Sequence, residues 1–264
     1  MIPDQVPADD RGLLLGDGLF ETLLAEAGEL RDFDRHIARM ARGCAVLGLA
    51  PPSAEAARAV AEAAVAEAGF DRAVVRLTLT GGSGRGLDRP DATPGRLIAS
   101  AGALSVPEGP VSLATVAIRR NQTSPLSRLK TLSYLDNVLA RREAKSAGAD
   151  EALMLNTRGD LACAAAANLF WISEGRLFTP ALDCGVLDGV VRGRVIEAAR
   201  AMAVEVVETA AGIEALDVAE GAFLTNSLIG VRPVSSLDGR ALPPSPLTAA
   251  LSSWDRGSAR PAGA

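Results

Sequence analysis

The chain has 264 residues, 48% of them apolar but only 3% aromatic, and a formal net charge of −5. That length buries a substantial core, as one large or two modest domains. The acidic balance and the lack of a basic stripe with interleaved aromatics speak against nucleic-acid binding, and no apolar run is long enough to span a bilayer. The first residues, Met1-Ile2-Pro3-Asp4-Gln5, carry neither the charged nor the apolar region of a signal peptide. Cys44, Cys163 and Cys184 are far apart, odd in number and without metal-ligand spacing, so they read as reduced thiols of a cytoplasmic protein. With His36 as the single histidine, a zinc site or a Ser-His-Asp triad is disfavoured.

In chain order, Gly16-Asp17-Gly18 marks a turn, and residues 19–25 read as a strand entering a hairpin at Glu26-Ala27-Gly28-Glu29. Asp34 is expected to cap a helix carrying Ile37, Met40, Ala41, Cys44 and Leu47 at helical spacing. His36 and Arg39, three residues apart, can point the same way from its first turns, either to solvent or to a ligand. Ser53 begins an alanine-rich helix over 54–68 that ends at Gly69, and 73–80 alternates as a strand. The strand runs into Gly81-Gly82-Ser83-Gly84-Arg85-Gly86. The glycine spacing is wrong for a dinucleotide fingerprint, and Pro90 and Pro94 forbid the helix that must follow. A flexible loop with Arg85 available for a carboxylate is the better expectation. Residues 96–104 form another strand. The linker Ser105-Val106-Pro107-Glu108-Gly109-Pro110 then divides a smaller N-terminal domain, 1–104, from a larger C-terminal one, 111–264.

The second half opens with a strand over 111–118 and a polar loop that leads to Lys130. The chain contains one other lysine, Lys145, and nearly all its remaining positive charge is arginine. An amine can lose its proton when desolvated and attack a carbonyl to form a Schiff base, which a guanidinium cannot do. Lys130 sits between Leu129 and Leu132 with no acidic residue within four positions. It is either an ordinary lysine before a helix or such an amine. A helix over 134–147 follows, with Leu135, Val138, Leu139 and Ala144 on one face, Gly148 as its stop and Lys145 on its polar side. Strands are expected at 151–156, 204–209 and 222–226 and a short helix at 213–218, while 161–172 is small and apolar and leads through a hairpin at Ser173-Glu174-Gly175 into 176–179. A helix beginning at Gly189-Val190-Val191-Arg192 offers unpaired N–H groups and a positive dipole end to an anion. Thr225-Asn226-Ser227 supplies hydroxyls in a turn, and a last helix over 246–254 precedes a tail expected to be loose from about residue 256. A phosphate-bearing aldehyde held through a lysine Schiff base would use the amine, the arginine and both anion cradles.

On these residues the sequence resembles the class IV, fold-type IV family of pyridoxal-phosphate enzymes: branched-chain and D-amino-acid aminotransferases and aminodeoxychorismate lyase. The matching motifs fall in family order, from Gly16-Asp17-Gly18-Leu19-Phe20-Glu21 to Pro233-Val234. The resemblance implies a two-domain α+β (α/β) fold with a small N-terminal α/β sandwich and a larger C-terminal domain containing a barrel-like sheet. It implies pyridoxal 5'-phosphate as cofactor and a homodimer with the active site at the domain boundary. Lys130, with Tyr134-Leu135 and Asn137, matches the lysine segment and becomes the Schiff-base lysine. His36-Ile37-Ala38-Arg39 makes Arg39 a phosphate ligand, and the amides of Val190 and Val191 and the turn at Ser227 and Leu228 complete the phosphate cradle. Phe20 and Arg85 become substrate-side residues.

One departure stands out. Counting back from Asn168-Leu169-Phe170, the position of the glutamate that pairs with the pyridine nitrogen in this family is Cys163. A carboxylate there keeps the ring nitrogen protonated and deepens the electron sink. A thiol does not do this comparably, though it is compatible with a small buried position. Gly82-Ser83-Gly84-Arg85-Gly86, Ala167-Asn168-Leu169-Phe170-Trp171 and Phe223 through Val234 look most like the lyase, which makes 4-aminobenzoate and pyruvate from 4-amino-4-deoxychorismate. A branched-chain or D-amino-acid aminotransferase is the first alternative. A cofactor binder that lost activity with the glutamate is the second.

Overall fold

A computed structural model describes residues 6–89 and 93–257. The described residues of Met1–Ser105 together with Leu129–Tyr134 form one compact unit, and Val106–Arg128 with Leu135–Ala264 form the other.

In the first unit a short helix α1 (Arg11–Leu15), capped by the Asp10 carboxylate on the Gly12 amide, leads into β1 (Gly18–Glu26) and a tight hairpin to β2 (Glu29–Leu30). Helices α2 (Phe33–Leu47) and α3 (Ala54–Ala68) follow, then β3 (Arg72–Thr80) and β4 (Arg96–Ala103). The antiparallel sheet has the order β2-β1-β3-β4. Period-2 alternation puts Leu19, Leu23 and Ala25 of β1 and Val75, Leu77 and Leu79 of β3 into one core with Ile37, Met40 and Cys44 of α2 and Ala57 and Ala61 of α3. Ser53 caps α3 through its hydroxyl on the Ala56 amide, and Gly69 ends it in the left-handed region at φ 69. Asp34 does not cap α2. The helix starts two residues earlier than that cap implies, and Asp32 takes the cap position at φ 56, a conformation aspartate tolerates in the tight turn from β2. Asp34 sits in the first turn, where its charge still suits the helix dipole.

The second unit carries β5 (Val111–Thr115), α4 (Leu135–Ser146), β6 (Glu151–Leu155), β7 (Leu161–Ala164), β8 (Asn168–Ser173) and β9 (Arg176–Pro180). It continues with α5 (Val190–Ala201), β10 (Val206–Thr209), β11 (Gly221–Asn226), β12 (Gly230–Leu237), β13 (Arg240–Ala241) and α6 (Pro246–Gly257). The pairings β8-β11-β12-β5-β6-β7 and β7–β8 close a six-stranded ring, so the sheet is a barrel; β9 and β10 extend it from β8, and β13 pairs with β12. All six ring strands feed one core, with Leu113, Leu153, Leu161, Leu169, Leu224 and Val234 among its members. A second apolar layer, including Phe170, Phe223, Val191 and Val195, lies between the sheet and helices α5 and α6.

The structure departs from the sequence expectations in this unit. The apolar stretch 161–172 is two strands, because Ala164 and Ala167 close a turn through a backbone bond of 2.9 Å. In α4 the buried residues are Asn137, Ala140 and Ala144, while Leu135 and Val138 are exposed. Small side chains let that helix approach Ala114, Ala152 and Met154, so size rather than hydropathy sets its inner face. Strand β12 is not apparent from the sequence, since Pro233 breaks the strand pattern. The proline sits just before the parallel pairing with β5 begins at Val234, so on that side no ladder bond is lost. The last helix runs to Gly257, two residues into the tail expected to be loose, and 258–264 lie outside the described residues.

Candidate active site

Within the first unit, residues 130–132 add to the edge of β1: the Phe20 amide donates to the Lys130 carbonyl at 2.8 Å and the Leu132 amide to the Gly18 carbonyl at 3.0 Å. This pairing fixes the backbone from which Lys130 reaches. Its Nζ lies 4.2 Å from the centre of the Phe20 ring and 5.4 Å from that of Tyr134, and the two rings meet edge to face at 5.1 Å. The Arg76 guanidinium stands 3.7 Å over the same Phe20 ring. Desolvation, helped by the charges of Arg39 and Arg76 and opposed by Glu21, brings the Lys130 amine down to about 8. Deprotonation is thus within reach of neutral pH, as a nucleophilic or proton-moving amine requires.

Arg39 and His36 share the buried face of α2, and both meet Glu21 of β1. Arg39 Nε donates to Glu21 Oε1 at 2.9 Å and Arg39 Nη2 donates to Glu21 Oε2; His36 Nδ1 lies 2.7 Å from Oε2. Glu21 is 1% exposed. Burial pushes its carboxyl up, but the charge and hydrogen bonds of Arg39, with those of His36, win and hold it at about 2. Residue type alone does not single out Glu21. The signal was there, since the alternation of β1 puts a carboxylate in register with Leu19 and Leu23 on an otherwise apolar face.

The second unit brings together the remaining candidates. Gly189 stands at the N-cap of α5 with no side-chain cap, so the amides of Val190 and Val191 open a helix of twelve residues. A side chain at Gly189 would collide with Asn168 Oδ1, while Asn168 Nδ2 donates to the Leu187 carbonyl at 2.9 Å. Cys163, Asn168 and Thr225 form one rank across β7, β8 and β11. The Thr225 hydroxyl is buried and has no hydrogen-bond partner among the described residues. Beyond it Asn226 Oδ1 accepts from the amides of Leu228 and Ile229, both at 2.9 Å, and so shapes the turn that carries Ser227. Burial raises the Cys163 thiol, with Arg120 the main opposing charge, so the thiol is neutral near pH 7. Arg120, which the sequence reading did not single out, donates to the carbonyls of Ser127 at 2.6 Å and Gly185 at 3.3 Å.

Arg85 is exposed and makes no hydrogen bond or ion pair among the described residues. Its loop is less free than expected. Arg11 donates to the carbonyls of Gly86, Leu87 and Asp88, and Arg89 to those of Leu47 and Gly48 and to Asp17. The described residues contain no cluster able to hold a metal, and no helix among them is long and apolar enough to cross a membrane.

Residues 18–237 match the family model for amino-transferase class IV. A putative branched-chain-amino-acid aminotransferase of Methanocaldococcus jannaschii is 31% identical over 90% of this chain and 84% of its own. An aminodeoxychorismate lyase of Bacillus subtilis is 35% identical over 47% of this chain and 42% of its own. Among solved structures, a putative 4-amino-4-deoxychorismate lyase from Legionella pneumophila superposes with a TM-score of 0.92 at 29% identity, covering 97% of this chain and 96% of the other. A branched-chain aminotransferase from Thermoproteus uzoniensis gives 0.89 at 27% identity, covering 96% and 89%.

Proposed function

Because this chain belongs to the class IV aminotransferase family of pyridoxal-phosphate-dependent enzymes, we propose that it is a lyase that converts 4-amino-4-deoxychorismate to 4-aminobenzoate and pyruvate. The single observation that carries the site is the Lys130 amine, desolvated against Phe20 and Tyr134 and lowered to about 8.

The residues present fit pyridoxal phosphate. The buried Thr225 hydroxyl without a partner and the uncapped start of α5 are what a phosphate cradle offers, and a desolvated lysine suits an aldehyde. In this reading Lys130 carries the cofactor. Arg39, the amides of Val190 and Val191, and the turn at Ser227 and Leu228 take its phosphate, and Cys163 lies on its pyridine-nitrogen side. When bound, the cofactor supplies an electron sink for a carbanion next to the substrate amine. Lys130 Nζ accepts the proton from the carbon that bears that amine. Phe20 forms an apolar wall beside the reacting amine, and Arg85 takes a substrate carboxylate. Pyruvate leaves as the substrate ring becomes aromatic. Aromatisation supplies driving force that amino-group exchange lacks, so this chemistry tolerates the neutral Cys163 thiol where a carboxylate would deepen the sink.

The likeness to lyases in both comparisons supports this choice. Similarity to the archaeal branched-chain aminotransferases and to D-alanine aminotransferases of Listeria favours the second reading, amino transfer between amino and keto acids. Purified protein given 4-amino-4-deoxychorismate and no keto acid is expected to release pyruvate. If no pyruvate forms while D- or L-amino acids exchange their amino group with 2-oxoglutarate or pyruvate, the second reading replaces the first. A cytoplasmic homodimer is part of the same proposal. Reduced Cys44, Cys163 and Cys184 suit the compartment, and exposed Leu13, Leu14 and Leu15 on α1 suit a partner surface.

A further inference from the structure

Glu21 and His36, which form a buried charged cluster with Arg39, have no part in the chemistry above. Such a pair is an expensive way to stabilise a fold, because both ions lose their water, and apolar residues of similar volume commonly serve as well. Glu21 replaces what would be the middle member of the run Leu19, Leu23 on the core face of β1. Its two oxygens receive two different donors of one guanidinium, Nε and Nη2 of Arg39. A two-point contact of this kind fixes the plane and direction of the guanidinium, whereas a single contact leaves it free to turn. His36, one helical turn before Arg39, meets the carboxylate at 2.7 Å and holds it from the side. The arginine so fixed is close enough to Lys130 for its charge to lower that amine.

We propose that Glu21 is a positioning residue for Arg39, with His36 as its buttress. Together they set the guanidinium in the direction from which it grips the phosphate of the cofactor. This rests on the reading of Arg39 as a phosphate ligand. The competing effect has the opposite sign. Glu21 is itself an anion, and if it acted only through its charge it would repel a phosphate and draw off part of the arginine's field. Removing that charge would then tighten phosphate binding, whereas removing a positioning contact loosens it.

The test is a cycle between variant and ligand. Full-length protein stripped of cofactor is titrated with pyridoxal 5'-phosphate and with pyridoxal, which has the same ring and aldehyde but no phosphate. Glu21→Gln is expected to weaken the phosphorylated ligand about ten- to a hundredfold and to leave pyridoxal within about threefold. Equal losses for both ligands, no loss for either, or tighter binding of the phosphorylated one overturns the proposal. Arg39→Gln serves as the control for the underlying reading. If it keeps the preference for the phosphorylated ligand, Arg39 is not the phosphate ligand. If it loses that preference while Glu21→Gln keeps it, only the positioning role fails. Should Glu21→Gln not fold, Glu21→Asp keeps the buried charge but withdraws the carboxylate by one methylene, and it carries the same expectation. His36→Gln, which leaves the two Arg39 contacts in place, is expected to give a smaller loss in the same direction, confined to the phosphorylated ligand.

Discussion

The two units present their candidate residues by different means. The first works with side chains: Lys130, Arg39, Glu21 and His36 are each held by a named partner, and each charge alters the next. The second works mostly with backbone: the amides that open α5, a turn shaped by Asn226, and a glycine that clears the helix start. A group made of side chains can be deleted by one substitution. A cradle made of amides persists when the side chains above it change, so substitutions in the first unit are expected to cost more than those in the second.

The sharpest break should come at Lys130. Lys130→Ala is expected to lower turnover at least about a thousandfold, since in the proposed reading one amine both carries the cofactor and moves the proton. Steady-state pyruvate release measures this, and a loss under tenfold would erase the contrast between the units. Next is the buried carboxylate. Glu21 titrates at about 2 in the folded chain against an ordinary 4.5, so its contribution is complete above 4.5 and is lost as pH falls toward 2. Across that window wild type should lose on the order of 3 kcal/mol more than Glu21→Gln in urea unfolding. Parallel profiles would show that the carboxylate is not held low. In the second unit, Gly189→Ala is the exception to mild effects. Its methyl group meets Asn168, and a cost of about 2 kcal/mol is expected, read from the same unfolding curves. Ser227→Ala removes one hydroxyl from a turn that keeps its amides. It should weaken cofactor binding only about tenfold, measured by equilibrium titration.

The same contrast explains what was legible in the sequence. Lys130, Arg39 and Cys163 could be proposed from the sequence, the first as a rare amine and the other two through the resemblance to the family's motifs. Helix α3 could be placed to the residue because Ser53 and Gly69 cap it in the usual way. The inner face of α4 could not, because close packing on Ala114 and Ala152 selects small residues, and the larger Leu135 and Val138 point outward. Strand β12 was hidden by Pro233, whose tolerance depends on where its neighbour β5 begins pairing. Glu21 and Arg120 were missed because their meaning is relational. A carboxylate in a strand or an arginine in a loop says little until its partners across the fold are known.

The central claim is that Lys130 carries the cofactor, and the chain suits a direct test because it has only two lysines, Lys130 and Lys145. Holoenzyme is treated with borohydride to fix any link between a lysine and the cofactor aldehyde, digested, and mapped by mass spectrometry. The account predicts the added mass on the peptide that contains Lys130 and none on the one that contains Lys145. Label on Lys145, or on neither lysine in protein that holds the cofactor, would contradict it.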